Sequence, residues 1–350
     1  MSARSRALKR ILVTGISGNL GRRLAPLLTE YDLISVDLYP PSPGSPAGKF
    51  VQMDLSTGSG QGRLAKIVEE EQLDAILHLA FVLDPLQTGI VDLRRMWEAN
   101  VGAARALLEA IALGNRDATR VQVFVFLSSV SAYGPELLER VREDAPLKAH
   151  TLPYAIHKRE ADLLCQTMYP SLNGCAVYLY RPHIYAGATV DNYILRAIRG
   201  RASGRGWLAR LYQARKWRVP ALLPPESPGG FLQFVHVDDV ARVLQWTLSH
   251  FRPGALEIFN LAGCGPPISF EECVRLANTP ILRVGSLKRI ELILRLMWAL
   301  GLSGVPSEAI PYYLTSYTMD TTRLEAALGA ERDTILQFSA RQALADALAH

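Results

Sequence analysis

The chain has 350 residues, 49% of them hydrophobic and 20% charged, enough for a large buried core in two domains or one large one. A formal net charge of +5 is too mild to imply nucleic acid by itself. The four cysteines, Cys165, Cys175, Cys264 and Cys273, show neither a CxxC nor a metal-ligand spacing. They read as reduced thiols of a cytoplasmic protein with no metal site, and the basic N-terminus runs into the first strand without a stretch of signal-peptide length.

The first predicted element is the strand Ile11–Thr14. Gly15, Gly18 and Gly21 follow it in a GxxGxxG spacing, and an apolar helical pattern (Leu20, Leu24, Leu27, Leu28) comes next. A strand, a glycine turn and a helix N-terminus together make a pyrophosphate cradle. The first glycine permits the turn, the second lets backbone approach the phosphates, and the third lets helix and strand pack closely. Asp37 ends the next apolar run, Leu33–Val36, about 20 residues on, where a carboxylate takes the hydroxyls of an adenosine ribose. That carboxylate would repel a 2′-phosphate and so favours NAD, as does Leu38 after it, although Arg22 and Arg23 could blunt the preference.

Further apolar runs fall at Phe50–Met53, Ala75–Leu79, Val121–Leu127, Ala176–Tyr180, Leu232–Val237 and Glu257–Leu261. Helical patterns fall between them at Gln61–Glu71, Val91–Leu113, Tyr154–Met168 and Asp238–Ser249. Continuous apolar strands alternating with helices predict an α/β fold, a doubly wound parallel (Rossmann) sheet covered on both faces, with its ligand at the carboxyl ends of the strands. Pro40–Gly48 is rich in Pro, Gly and Ser and reads as a surface loop. Asp54 either bonds the adenine amino group or is a helix N-cap or turn residue. Ala80 and Phe81 fall near the middle of the cofactor, and His78 reads as a satisfied core histidine.

The fifth strand runs out into Ser128-Ser129-Val130-Ser131-Ala132-Tyr133-Gly134, hydroxyls that would face the crevice. Tyr154 and Lys158 then share one helix face. A nearby ammonium is expected to lower the tyrosine pKa toward the working pH and make Tyr154 a general acid/base.

These residues resemble the extended short-chain dehydrogenases/reductases, the NAD-dependent epimerase/dehydratase superfamily. The likeness rests on the glycine turn, Asp37, His78-Leu79-Ala80, the Asn100 helix, the serine strand end and YxxxK. Further along it rests on Arg181-Pro182…Tyr185-Ala186-Gly187, Phe234-Val235-His236-Val237-Asp238-Asp239, Phe259-Asn260-Leu261-Ala262-Gly263 and Met319–Gly329. The resemblance implies a catalytic set of Asn100, Ser129, Tyr154 and Lys158. It also implies NAD contacts by Gly15, Ser17, Gly18, Asn19, Leu20, Gly21, Asp37, Asp54, Leu55, Leu79, Ala80, Phe81, Asn100, Tyr154, Lys158, Arg181 and His183. Asn100 could instead only cap or bridge helices, and His183 could touch substrate or nicotinamide or be structural.

The substrate side departs from the nucleotide-sugar members, in which an asparagine follows the strand-six arginine by a few residues. Here the run is Arg181-Pro182-His183-Ile184-Tyr185, which looks equally like 3β-hydroxysteroid dehydrogenases. Residues 188–232 carry Arg196, Arg199, Arg201, Arg205, Arg210, Arg215, Lys216 and Arg218 among aromatics. This stretch reads as an anion grip, a membrane-surface helix or a solvated face. Residues 286–305 are apolar but interrupted by Lys288, Arg289, Glu291 and Arg295, and they read as a helix over the substrate pocket rather than a membrane span. They also resemble a bacterial subgroup of possible sugar epimerases.

The expected layout is a cofactor domain of residues 1–185 with 232–263 and a substrate domain of 186–231 with 264–350. The expected activity is epimerase or dehydratase chemistry on a nucleotide sugar through transient hydride transfer. Two alternatives are an NAD-dependent dehydrogenase of an apolar alicyclic alcohol or ketone, and a non-catalytic NAD-binding protein. By analogy with the family, a homodimer would form through helices 91–113 and 154–169.

Overall fold

Residues 7–83, 92–136, 140–314 and 316–349 are described by a computed structural model. Seven strands form one parallel sheet: β1 (Arg10–Thr14), β2 (Asp32–Asp37), β3 (Lys49–Gln52), β4 (Ala75–His78), β5 (Val123–Leu127), β6 (Ala176–Pro182) and, later in the chain, β11 (Leu256–Leu261). Alternate side chains enter different cores. Ile11, Val13, Val123 and Val125 face one, and Leu12, Ile34, Ile76, Phe124 and Phe126 the other. Burial on both faces is why these strands read as unbroken apolar runs.

The strand order is β11-β6-β5-β4-β1-β2-β3. The chain winds outward from β1 through β2 and β3, then returns to the other side of β1 as β4. The order therefore reverses between β1 and β4, where a doubly wound sheet opens a crevice at its carboxyl ends. Register places Thr14 beside His78 and Asp37 beside Gln52, so β1, β2 and β4 all end at this rim.

One core packs on α1 (Asn19–Leu24), which Pro26 turns into a short 3-10 segment, Ala25–Leu28. The other packs on α2 (Gly58–Glu70). Three glycines hid the start of α2 in the sequence, but Thr57 caps it by accepting from the Gly60 N–H at 3.1 Å. The predicted helix 91–113 is three pieces: α3 (Leu93–Trp97), a π-helical turn (Glu98–Gly102) and α4 (Ala103–Gly114). Its first residue, Val91, lies outside the described residues. α5 (Pro153–Met168) starts with Pro153 in its first turn, where the missing N–H costs nothing.

Beyond β6 the chain forms small satellite sheets. β7 (Ile184–Ala186) is followed by α6 (Tyr193–Ile198), α7 (Trp207–Ala214), β8 (Ala221–Leu223), β9 (Phe231–Leu232), β10 (Phe234–His236) and α8 (Val237–His250). The predicted single strand Leu232–Val237 is thus divided. β10 pairs with β7, β9 pairs with β12 (Ile268–Ser269), and neither joins the main sheet. The break falls at Gln233, whose side-chain amide bonds both backbone groups of Met319 and pins the C-terminal segment. α9 (Phe270–Leu276) and β13 (Ile281–Arg283) follow, β13 pairing with β8, and α10 (Leu287–Ala299) comes next. Ser286 caps α10 through the Arg289 N–H. No helix among the described residues is long and apolar enough to cross a membrane.

Candidate active site

The glycine turn leaves β1 with Gly15 at φ +80°, its N–H donating to the Val36 carbonyl at 2.8 Å. A Cβ on Gly15 would lie 2.6 Å from the Ala80 nitrogen, so β1 and the chain leaving β4 touch backbone to backbone. A Cβ on Gly21 would lie 2.3 Å from the Gly15 carbonyl oxygen. Gly18 differs, since its Cβ would meet only that same oxygen, at 3.2 Å. Gly15 and Gly21 therefore close the turn, and Gly18 keeps its open side clear. No side chain caps α1.

Beside the turn is a crevice of about 480 Å³, lined by Gly15, Ser17, Gly18, Arg22, Asp37, Leu38, Met53–Ser56 and Leu79–Val82, among others. Asp37 accepts from the Ser17 N–H at 2.8 Å and from the Tyr39 N–H at 3.3 Å. Burial pushes its carboxyl up, against these bonds and the nearby Arg22. A shaped crevice, a glycine that keeps backbone exposed and a carboxylate at the β2 end match the donor set a dinucleotide requires.

Other sequence-predicted contacts lie elsewhere. Asn19 donates to the Thr189 carbonyl at 2.6 Å, and Leu20 packs into the core. Asp54 lines the crevice, but its carboxylate is occupied. Ser56 donates from its N–H at 2.9 Å and its hydroxyl at 2.7 Å, and Arg95 donates at 2.8 Å. These partners hold the carboxyl below its ordinary value despite burial. Asp54 thus shapes the turn before α2, and Thr57 rather than Asp54 caps that helix.

Ser129 ends β5 and caps the one-turn 3-10 segment Val130–Tyr133, accepting from the Ser131 N–H at 3.1 Å. Tyr154, in the first turn of α5, is hydrogen-bonded to Ser129. One turn on, Lys158 is buried and donates to the Leu127 carbonyl at 2.5 Å. Its ammonium lies 3.5 Å above the centroid of the Phe81 ring. That ring in turn meets Tyr154 edge-on, with centroids 5.7 Å apart. Ser129, Tyr154 and Lys158 thus converge beside Phe81, at one end of the crevice.

The electrostatics correct one expectation. Lys158 does not hold the tyrosine pKa down: burial pushes Tyr154 up to about 12, opposed only by the Ser129 bond. Burial also lowers Lys158 to about 7, partly countered by Asp162. His78 is not a satisfied core histidine either. Its Nδ1 pairs with the Thr14 hydroxyl at 2.7 Å, but its Nε2 and the Ser128 hydroxyl are buried without partners. Burial and then the Lys158 charge bring His78 down to about 3.

Three more predicted site residues carry structural work. Asn100, buried in the π-helical turn, bonds the Val82 N–H at 2.6 Å and the Val82 carbonyl at 3.0 Å, and pairs with His157 at 3.2 Å. It therefore clamps the chain leaving β4, and π-helical turns recur where a helix must aim such a side chain. Arg181 is fully committed, to Asp162 at 2.9 and 3.0 Å, to the Tyr133 hydroxyl and to the Glu143 carbonyl. It ties β6 to α5 and offers no cation to the crevice. His183 accepts from the Ile184 N–H at 2.8 Å, so its Nε2 carries the proton donated to the Tyr317 carbonyl at 2.6 Å. Burial brings its pKa down to about 4, and it is neutral.

Sequence reasoning missed Tyr317. Its hydroxyl donates to the Val130 carbonyl at 2.9 Å, and it interacts with both Ser131 and Tyr154. Tyr185, which also interacts with Tyr154, stood inside a quoted motif without a role. No local signal marked Tyr317, because it reaches the site from the C-terminal segment.

D-erythronate dehydrogenase of Haemophilus influenzae is 31% identical over 163 residues, 44% of this chain and 48% of that protein. An uncharacterised epimerase/dehydratase of Staphylococcus saprophyticus is 26% identical over 165 residues, 45% of this chain and 48% of that protein. The chain thus spans about half the length of the curated relatives it matches. Among solved structures, UDP-glucose 4-epimerase of Thermotoga maritima shares the fold with a TM-score of 0.67 at 17% identity, covering 97% of each chain. The dTDP-glucose 4,6-dehydratase of Streptomyces venezuelae does so with 0.68 at 20% identity, covering 97% of this chain and 96% of that one. Residues 11–262 match the model of the NAD dependent epimerase/dehydratase family, and the chain belongs to that family of extended short-chain dehydrogenase/reductase enzymes, with NAD as cofactor.

Proposed function

We propose that the enzyme acts at a secondary hydroxyl carbon of a small-molecule substrate, with Tyr154 moving the hydroxyl proton. The carrying observation is the convergence of Ser129, Tyr154 and Lys158 beside Phe81, which itself lines the crevice. When bound, NAD would supply hydride acceptance and donation at that carbon. Gly15, Ser17 and Gly18 would hold the pyrophosphate, Asp37 the adenosine ribose, Met53 and Leu55 the adenine, and Lys158 the nicotinamide ribose. Ser129 orients the reacting oxygen, and Tyr154 gives or takes its proton, which is positioning plus acid–base catalysis. The sheet and its crevice, residues 1–185 with 232–263, would carry the cofactor. Residues 186–231 and 264–350 would carry the substrate.

The first substrate reading is a nucleotide sugar, processed by an epimerase or dehydratase reaction in which the hydride returns to the substrate. It is supported by the family and by the excess of cations over residues 196–218. The second is an apolar alcohol or ketone with net release of reduced cofactor. It is supported by the Phe81 ring, which meets Tyr154 edge-on. Exposed Leu93, Trp97, Leu113 and Leu163 on α3, α4 and α5 support pairing into a homodimer.

Mass spectrometry of the cofactor released on denaturing the purified protein tests the choice. Stoichiometric NAD supports internal redox on a nucleotide sugar, whereas an empty protein that binds NAD reversibly supports the dehydrogenase. Tyr154→Phe is expected to lower kcat at least about 100-fold with NAD affinity unchanged, and turnover at the wild-type rate would remove the assigned role.

A further inference from the structure

A second cavity lies apart from the crevice, under α10. Its volume is about 120 Å³, and it is walled by Ala221–Leu223 of β8, by Pro224 after it, and by Leu287, Ile290, Leu294 and Met297 of α10. These walls are mostly hydrocarbon. An apolar void of this order stays dry and accepts an apolar guest about the size of benzene. None of Ser129, Tyr154 and Lys158 lines it.

Gly200, Arg201 and Ser203 line this cavity and also a neighbouring basin of about 700 Å³. Arg196, Arg199, Lys216 and Arg218 line the basin too, against one acid, Asp191. Asp191 is bound to Arg196 at 2.7 Å. Arg199 and Arg218 reach backbone carbonyls, those of Ala347 and Ala277. Burial and the adjacent Arg201 press Arg199 below its ordinary value, and Asp191 is the one acid that opposes them. The backbone builds this arrangement. Gly200 has φ +62°, and a Cβ there would lie 2.7 Å from the Val219 carbonyl oxygen, so only glycine makes the turn that sets Arg199 and Arg201 on either side of it.

We propose that the cavity and the basin form one site for an amphiphilic anion: a ring or short alkyl body under α10 and a phosphate or carboxylate head on Arg201, Arg199 and Lys216. Arginine forks suit such heads, and an apolar slot beside them selects amphiphiles over simple anions. The site is separate from the catalytic residues and goes beyond the reaction proposed above. It also explains why a cation-rich stretch and a greasy helix, far apart in sequence, occur in one chain.

The test is calorimetric titration of the full chain with octyl phosphate, octanol and inorganic phosphate. Octyl phosphate is expected to bind at least about tenfold tighter than either of the others. Arg201→Glu should weaken octyl phosphate about tenfold and leave octanol unchanged. Leu294→Trp should abolish binding of both octyl compounds. NAD affinity, which reads the fold and the crevice, should not change in either variant. If Leu294→Trp also loses NAD, Leu222→Phe takes its place as the filling variant. Equal binding of phosphate and octyl phosphate would overturn the cavity's role. Equal binding of octanol and octyl phosphate would overturn the basin's, and binding by none overturns the site. Sedimentation with phosphatidylglycerol vesicles that persists in the filling variant would reduce the basin to general surface attraction and overturn it as well.

Discussion

The Lys158 ammonium sits 3.5 Å above the centroid of the Phe81 ring, inside the protein rather than at its surface. Burial lowers its pKa from 10.5 to about 7, so the unfolded chain binds one more proton than the folded one between those values. Stability from this group is therefore present above pH 10.5 and lost as pH falls toward 7. Lys158→Met should remove that dependence. In urea titrations at pH 7 and pH 10, the variant should gain stability relative to wild type at the lower pH, on the order of a few kcal/mol. An unchanged difference between the two pH values would mean that Lys158 titrates as an exposed lysine.

Gly15 and Gly18 should separate fold from binding. Gly15→Ala forces a Cβ against Ala80 backbone at φ +80°, which should cost about 2 kcal/mol or more as well as NAD binding. Gly18→Ala meets only one atom, at 3.2 Å, and should weaken NAD with a stability change of less than about 1 kcal/mol. Thermal melts with and without NAD distinguish the two, and equal destabilisation would refute the distinction.

Asp37 is expected to carry the cofactor choice. Replacing it with serine leaves the Ser17 N–H free and Arg22 without its opposing charge in the same crevice. Asp37→Ser should improve relative affinity for NADP over NAD by about tenfold or more. Direct titration with both nucleotides measures it, and an unaltered ratio would show that Arg22 already governs the preference.

The Arg181–Asp162 pair is nearly inaccessible on both sides. Asp162→Asn leaves a buried guanidinium without its counter-charge and should cost about 3–5 kcal/mol in urea denaturation. Arg181→Met with Asp162→Leu should cost distinctly less, because no charge remains buried. Equal losses would show that the carboxylate acts through packing rather than charge.

Local chemistry was strong enough to read directly. Four apolar residues, a glycine spacing and an acid placed the crevice, since strand, turn and helix N-terminus lie within 27 residues of one another, Ile11 to Asp37. Ser129 and the Tyr154/Lys158 pair were legible for the same reason: a strand end and one helix turn are short-range geometry. The parallel sheet was legible because strands buried on both faces lose all polar alternation. The divided strand at 232–237 was not, since an apolar run does not reveal which neighbour it will pair with.

The sequence by itself therefore determined the sheet, the glycine turn and the grouping of Ser129, Tyr154 and Lys158, each specified by residues near one another along the chain. Only the tertiary structure decided the fates of Arg181, His183 and Asp54. A polar side chain bonds whatever partner folding brings to it, and theirs were Asp162, Tyr317 and Arg95. It likewise decided the proton chemistry, because an ionisable group's pKa follows its burial. Tyr154 and Lys158 shared a helix face in both readings, yet desolvation, which no spacing encodes, sets one near 12 and the other near 7.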